Sequence, residues 1–130
     1  YLSIIKERDL KVRMMGHSAK ISAVITEYDA FIMPSKFEGF PLSVFEAMAA
    51  GLPLLLSDIP PLRSIVKEHA IYFDLEDPKA TAGILRDIYN GRINTAAMSI
   101  DGKEYAAAVV KKEIYTNNLL SIYDQVADRK

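Results

Sequence analysis

Residues 30–57 read Ala30-Phe31-Ile32-Met33-Pro34-Ser35-Lys36-Phe37-Glu38-Gly39-Phe40-Pro41-Leu42-Ser43-Val44-Phe45-Glu46-Ala47-Met48-Ala49-Ala50-Gly51-Leu52-Pro53-Leu54-Leu55-Leu56-Ser57. Ala30 to Met33 is a continuous apolar run closed by Pro34, the pattern of a strand in a parallel sheet. After a polar loop, Pro41 to Ala50 carries the alanine, leucine, methionine and glutamate content of a helix, and Gly51 is placed to cap it. Pro53 to Leu56 then gives a second apolar strand, ended by Ser57 and Asp58. Two strands joined through a helix by such short connections predict parallel pairing with a right-handed crossover.

The same alternation extends in both directions. Upstream, Lys11 to Met15 is a strand-like run stopped by Gly16, and Ser18 offers an N-cap to a helical stretch carrying Ile21, Val24 and Ile25. Downstream, Pro60 and Pro61 mark a turn, a brief helix is expected around Leu62 to Val66, and Ile71-Tyr72-Phe73 is a short strand. A helix follows from about Pro78, where proline suits the first turn, to Tyr89, closed by Asn90-Gly91. From Asn94 onward there is no strand signal, and Ile114, Leu119, Ile122 and Val126 recur near helical spacing, so one or two terminal helices are expected. The predicted class is α/β: a Rossmann-like parallel sheet with helices on both faces, ending in C-terminal helices.

The bulk numbers narrow the function. A chain of 130 residues, half hydrophobic and 25% charged, suits one ordinary domain with a single core. Its net charge is −1 and its basic residues are scattered, which argues against a nucleic-acid partner. The absence of cysteine removes disulfides, thiolate catalysis and sulfur-ligated metal, and fits a reducing compartment. Runs such as Leu52 to Leu56 fall far short of the roughly 20 apolar residues of a spanning helix. Tyr1 opens the chain with no signal-peptide pattern behind it, which reads as an excised or processed fragment.

In open parallel sheets ligands bind beyond the carboxyl ends of the strands, so the loops Gly16 to Ala19, Ser35 to Phe40 and Ser57 to Ile59 are expected on one edge. The middle loop runs straight into a helix, whose free N–H groups and positive dipole end suit a phosphate. Glu38 lies in this loop, and Glu46 lies about 7.5 Å along the helix axis from Pro41 at about 1.5 Å per residue, so the two carboxylates address different parts of one elongated ligand.

Glu38-Gly39-Phe40-Pro41-Leu42-Ser43-Val44-Phe45-Glu46, continued by Ala47-Met48-Ala49-Ala50-Gly51-Leu52-Pro53, resembles the signature of the retaining group 1, glycogen-synthase-like glycosyltransferases of GT-B fold, with seven residues between the glutamates. Tyr28 to Ser35 looks like the strand before that motif, Ser57 follows the next strand as it does there, and Leu119 to Tyr123 is similar to the terminal helix of the family. The resemblance implies a C-terminal, donor-binding domain, present here in part over residues 1–130, with the acceptor domain absent and little transferase activity in this chain alone. It puts Glu38 beside the reacting carbon, where a carboxylate favours an oxocarbenium-like transition state, and Glu46 on the ribose hydroxyls. Backbone amides of Gly39, Phe40 and Leu42 would meet the sugar and diphosphate, and the loop carrying His17 and Ser18 would lie against the nucleobase. Pro41 stands where many members have glycine, which removes one backbone donor, and it is expected to start the helix instead. No metal and no cofactor beyond the nucleotide-sugar substrate is implied. The acceptor would be a glycan or lipid-linked molecule, the setting surface-polysaccharide synthesis, and the place the cytoplasm or the cytoplasmic face of the membrane.

Other readings bear on the same residues. His17 is either a proton shuttle or an ordinary loop histidine, and the second is commoner. Lys36 and Arg63 read as solvated charges, and Tyr105, Tyr115 and Tyr123 as packing residues rather than an aromatic binding face. A nucleotide-sugar epimerase of the same fold, or a non-enzymatic flavodoxin-like interaction module, would also use this architecture. A parallel sheet cut short exposes a strand edge and apolar surface, so a homodimer of the chain is expected.

Overall fold

The computed structural model describes residues 2–17 and 21–111. Its elements run α1 (Leu2–Glu7), α2 (Ile21–Ile25), β1 (Phe31–Met33), α3 (Leu42–Ala49), β2 (Leu54–Ser57), α4 (Pro60–Val66), β3 (Ile71–Phe73), α5 (Pro78–Tyr89) and α6 (Thr95–Val109). The apolar runs pair as a parallel sheet in the order β1-β2-β3. Phe31 stands opposite Leu54 and Met33 opposite Leu56, while Leu55 faces Ile71 and Ser57 faces Phe73 on the other side.

Because side chains alternate along a strand, β2 feeds two faces. Leu54 and Leu56 join Val44, Phe45, Ala47 and Met48 of α3, Leu62 and Val66 of α4, Ile25 of α2 and Ala106 of α6 in the main core, with Phe31, Met33 and Tyr72 packed against it. On the other face Leu55, Ser57 and Phe73 are buried, whereas Ile32 of β1 is 44% exposed. That face is therefore closed over β2 and β3 and open at the β1 edge. In α5, half-buried Thr81, Ile84 and Ile88 recur at helical spacing, the pattern of a helix with one apolar side.

Local chemistry sets the ends of these helices. At the close of α3, Gly51 takes a φ of 78°, its N–H bonds the Met48 carbonyl at 2.9 Å, and Leu52 N–H bonds Ala47 at 3.0 Å, the two bonds of a Schellman cap. Asp77 and Asn94 cap α5 and α6 through their side chains, onto the Ala80 and Ala97 amides. Gly102 is buried where α6 packs on α3, and a Cβ there would make an ordinary contact of 3.6 Å with the Met48 Cε.

Four expectations change. Lys11 to Met15 forms no strand: Val12, Met14 and Met15 are exposed, and the segment turns after α1 with Leu10 N–H on Ile5 and Val12 N–H on Leu10. A strand exists only by pairing, and no described strand pairs with this run. Pro60 and Pro61 lie inside α4 as its first residues, positions whose N–H needs no partner, rather than in a turn before it. Pro41 is the N-cap of α3 and Leu42 its first residue, so proline precedes the helix instead of opening it. The segment 2–7, given no element in the sequence reading, is helical. One terminal helix, α6, is described; Ser18 as a cap and the periodic residues from Ile114 onward lie outside the described residues.

Candidate functional site

The loop after β1 and the end of β2 are joined by hydroxyls. Ser57, fully buried at the end of a leucine strand, donates from Oγ to the Ser35 carbonyl at 2.5 Å. Ser35 in turn donates from Oγ to Glu38 Oε1 at 2.7 Å. The half-buried Glu38 carboxylate thus keeps its second oxygen for other donors. Just past β2, the Asp58 N–H bonds the Phe73 carbonyl at 2.8 Å. Its carboxylate is gripped by Arg63, whose Nε and Nη2 both donate to it, the second at 2.7 Å. This guanidinium holds the Asp58 carboxyl below its usual range. Arg63 also lies over the Tyr72 ring, 4.3 Å from its centre, and so is committed within the chain.

The loop then enters α3. Its N-cap residue Pro41 makes no side-chain cap bond, and among the described residues no carboxylate or hydroxyl accepts from the first-turn amides. Val44 N–H reaches back to the Pro41 carbonyl at 3.0 Å, and Leu42 N–H bonds the Phe40 carbonyl at 3.1 Å, which partly engages one of the expected donors. Gly39 has no positive φ, and a Cβ there would meet nothing within 4 Å. Neither backbone conformation nor packing among the described residues therefore requires glycine at that position. Phe40 folds over the buried Phe45, ring centres 5.2 Å apart and nearly parallel, leaving its outer face exposed.

Glu46, exposed on the second turn of α3, lies on the wall of two cavities. One, of about 280 Å³, is also lined by Met15, Gly16, Val24, Tyr28 and Ser43, so Gly16 and Glu46 share a cavity although the strand expected before Gly16 does not form among the described residues. The other, about 840 Å³ and mostly apolar, lies between α3 and the end of α6, with Phe40, Phe45, Ala106 and Val110 on its walls. His17 is exposed and lines neither cavity, and Ser18 lies outside the described residues. Sequence reading missed the hydroxyl of Ser35. The signal in the sequence is the three-residue distance of Ser35 from Glu38. Tyr105 is a packing residue as expected: its hydroxyl donates to the Ile65 carbonyl at 2.6 Å and its ring stacks on His69. Tyr115 and Tyr123 lie outside the described residues.

Among known proteins, the family model for glycosyl transferases group 1 matches residues 2–105. An O-antigen biosynthesis glycosyltransferase of Escherichia coli, WclY, is 25% identical over 95 residues, covering 72% of this chain and 27% of that protein. A UDP-Gal:alpha-D-GlcNAc-diphosphoundecaprenol alpha-1,3-galactosyltransferase, also of Escherichia coli, is 33% identical over 72 residues, covering 54% of this chain and 19% of its own length. The chain spans about a quarter or less of these curated relatives. In fold, it superposes on sucrose-phosphate synthase from Thermosynechococcus elongatus with a TM-score of 0.85 at 21% identity, covering 99% of this chain and 34% of that one. With a parallel sheet and helices of the GT-B kind, and a family match over most of its length, the chain belongs to the group 1 glycosyltransferases.

Proposed function

We propose that this chain is the donor-binding, C-terminal part of a retaining glycosyltransferase that takes a sugar from a nucleoside diphosphate. The observation that carries the reading is Glu46 on the wall of the cavity that also holds Gly16, on a helix whose first turn is left uncapped. Such a helix end accepts a diphosphate through backbone N–H groups, and a carboxylate one turn further accepts hydrogen bonds from paired ribose hydroxyls. The nucleobase then occupies the cavity beside Met15 and Gly16.

Glu38 faces the transferred sugar in this proposal. Its free oxygen lies toward the reacting carbon, where negative charge favours the positive charge that builds as the bond to the diphosphate loosens. The departing diphosphate keeps its charge at the start of α3, so no metal is invoked. The acceptor is held by residues outside this chain, and this chain alone transfers little. A lipid-linked or glycan acceptor of surface-polysaccharide synthesis fits the O-antigen and diphosphoundecaprenol activities of the relatives, and the reaction is assigned here to the cytoplasmic side of a membrane. Among the described residues no helix is long and apolar enough to cross a membrane.

The test is a calorimetric titration of the chain with uridine, guanosine and adenosine diphosphates and their sugars. One nucleotide is expected to bind saturably, and Glu46→Ala to weaken it by about 1.5–3 kcal/mol, the worth of a hydrogen bond to a charged group. Binding that ignores the substitution would remove Glu46 from the donor pocket.

A further inference from the structure

Ser57 is the buried polar residue in an otherwise leucine strand, and burying a hydroxyl without need is costly. Its hydroxyl reaches across 22 positions of sequence to the Ser35 carbonyl, while the Ser35 hydroxyl points onward to Glu38. From this chain of bonds we infer that Ser35 is a positioning residue for the Glu38 carboxylate, with Ser57 as its anchor; the inference rests on the role given to Glu38 above.

The geometry explains what each bond does. Glu38 sits in a loop, and its side chain would otherwise sample several rotamers. One carboxylate oxygen held at 2.7 Å by a hydroxyl restricts the rotamers of the group and leaves the other oxygen for the sugar. A hydroxyl on a mobile loop would fix nothing, so Ser35 itself has to be tied. The 2.5 Å bond from Ser57 ties it to β2, the strand buried on both faces at the centre of the sheet. The rigidity of the core thereby reaches the carboxylate through two side-chain hydrogen bonds. Substrate positioning of this kind acts on turnover more than on ground-state binding, because the carboxylate's interaction strengthens as charge develops.

The experiment uses the full-length protein and the donor selected from UDP-glucose, UDP-galactose, UDP-N-acetylglucosamine and GDP-mannose by release of nucleoside diphosphate. Ser35→Ala is expected to lower kcat about tenfold while donor KM stays within about twofold and the melting temperature holds. Ser35→Thr, which keeps a hydroxyl at the same place, is expected to restore most of the rate. Ser57→Ala is expected to lower both kcat and melting temperature, since it also unties the loop. A Ser35→Ala enzyme with unchanged kcat, beside a Glu38→Ala enzyme that is inactive, would overturn the positioning role and leave Glu38 in place. Unchanged kcat in both would overturn the reading of Glu38 itself. Loss of donor binding in Ser35→Ala to the same extent as kcat, with no rescue by threonine, would make the bond a loop-shaping contact and overturn the inference.

Discussion

Replacing Lys67 by glycine and by alanine should invert the usual order of the two residues. Lys67 follows α4 with φ 55° and ψ −129°, and the His69 N–H bonds the Val66 carbonyl at 3.2 Å across it. These angles and that bond describe a type II′ turn with Lys67 at the position that calls for glycine. A side chain held there costs about 1–3 kcal/mol. The turn persists because both its ends are tied: the Lys67 N–H bonds Arg63 at 3.0 Å, and its carbonyl accepts the Tyr72 hydroxyl at 2.7 Å. Alanine keeps the strain and gives up the weak attraction of the Lys67 ammonium for the Tyr105 ring, 5.5 Å from its centre, worth about 0.5 kcal/mol at an exposed site. Glycine gives up the same attraction and relieves the strain, but loses about 0.5–1 kcal/mol to the greater freedom of its unfolded chain. Taking mid-range values, Lys67→Gly should be about 1 kcal/mol more stable than Lys67→Ala, or a few degrees in melting temperature by circular dichroism at 222 nm. At an ordinary exposed site the order is the reverse. Alanine matching or exceeding glycine would show that the strain at Lys67 is no larger than the about 0.5–1 kcal/mol glycine loses to its unfolded chain, and would refute the expected order.

Three further outcomes follow from other parts of the molecule. Gly83 lies inside α5 without a positive φ, and an added Cβ there would meet nothing within 4 Å, so Gly83→Ala should raise stability by about 0.5–1 kcal/mol in urea denaturation; a lower midpoint would reveal a contact at that face. The Asp58 carboxyl is held below its usual pKa by Arg63, so the pair's small contribution is present above the ordinary aspartate value of about 4 and is lost as pH falls through the depressed one. The difference in melting temperature between the parent chain and Asp58→Asn should accordingly shrink below about pH 4, and a gap constant from neutral to strongly acid pH would contradict it. Self-association of the chain is expected through the β1 edge, where Ile32 is exposed, and Ile32→Lys should lower the dimer fraction in sedimentation velocity; an unaltered fraction would place any contact elsewhere.

What could be read from the sequence, and what could not, follows from the range of each interaction. The stretch from Ala30 to Ser57 was legible because its signals are local: a run closed by Pro34, a helix-forming segment, and Gly51 in the left-handed conformation that the end of α3 requires. Pro78 in the first turn and Asn90-Gly91 at the close are local signals too, and α5 appears with the boundaries expected. Lys11 to Met15 misled because a strand is completed by a partner, and nothing within those five residues says whether one is present. Pro60 and Pro61 misled for a different reason, since proline both ends helices and begins them, and only the direction of the following chain decides. The candidate site divides in the same way. The run from Glu38-Gly39-Phe40 through Glu46-Ala47-Met48-Ala49 to Gly51-Leu52-Pro53 is a local pattern, and as a whole it pointed to the family. The bond from Ser57 to Ser35 joins positions that only the parallel register of β1 and β2 brings together, so no pattern within either segment announces it. A serine closing a run of leucines is the trace it leaves, because a buried hydroxyl must find an acceptor. Read that way, the polar residue at the end of a buried strand marks where the core is tied to the loop above it, and here that loop is the one that holds Glu38.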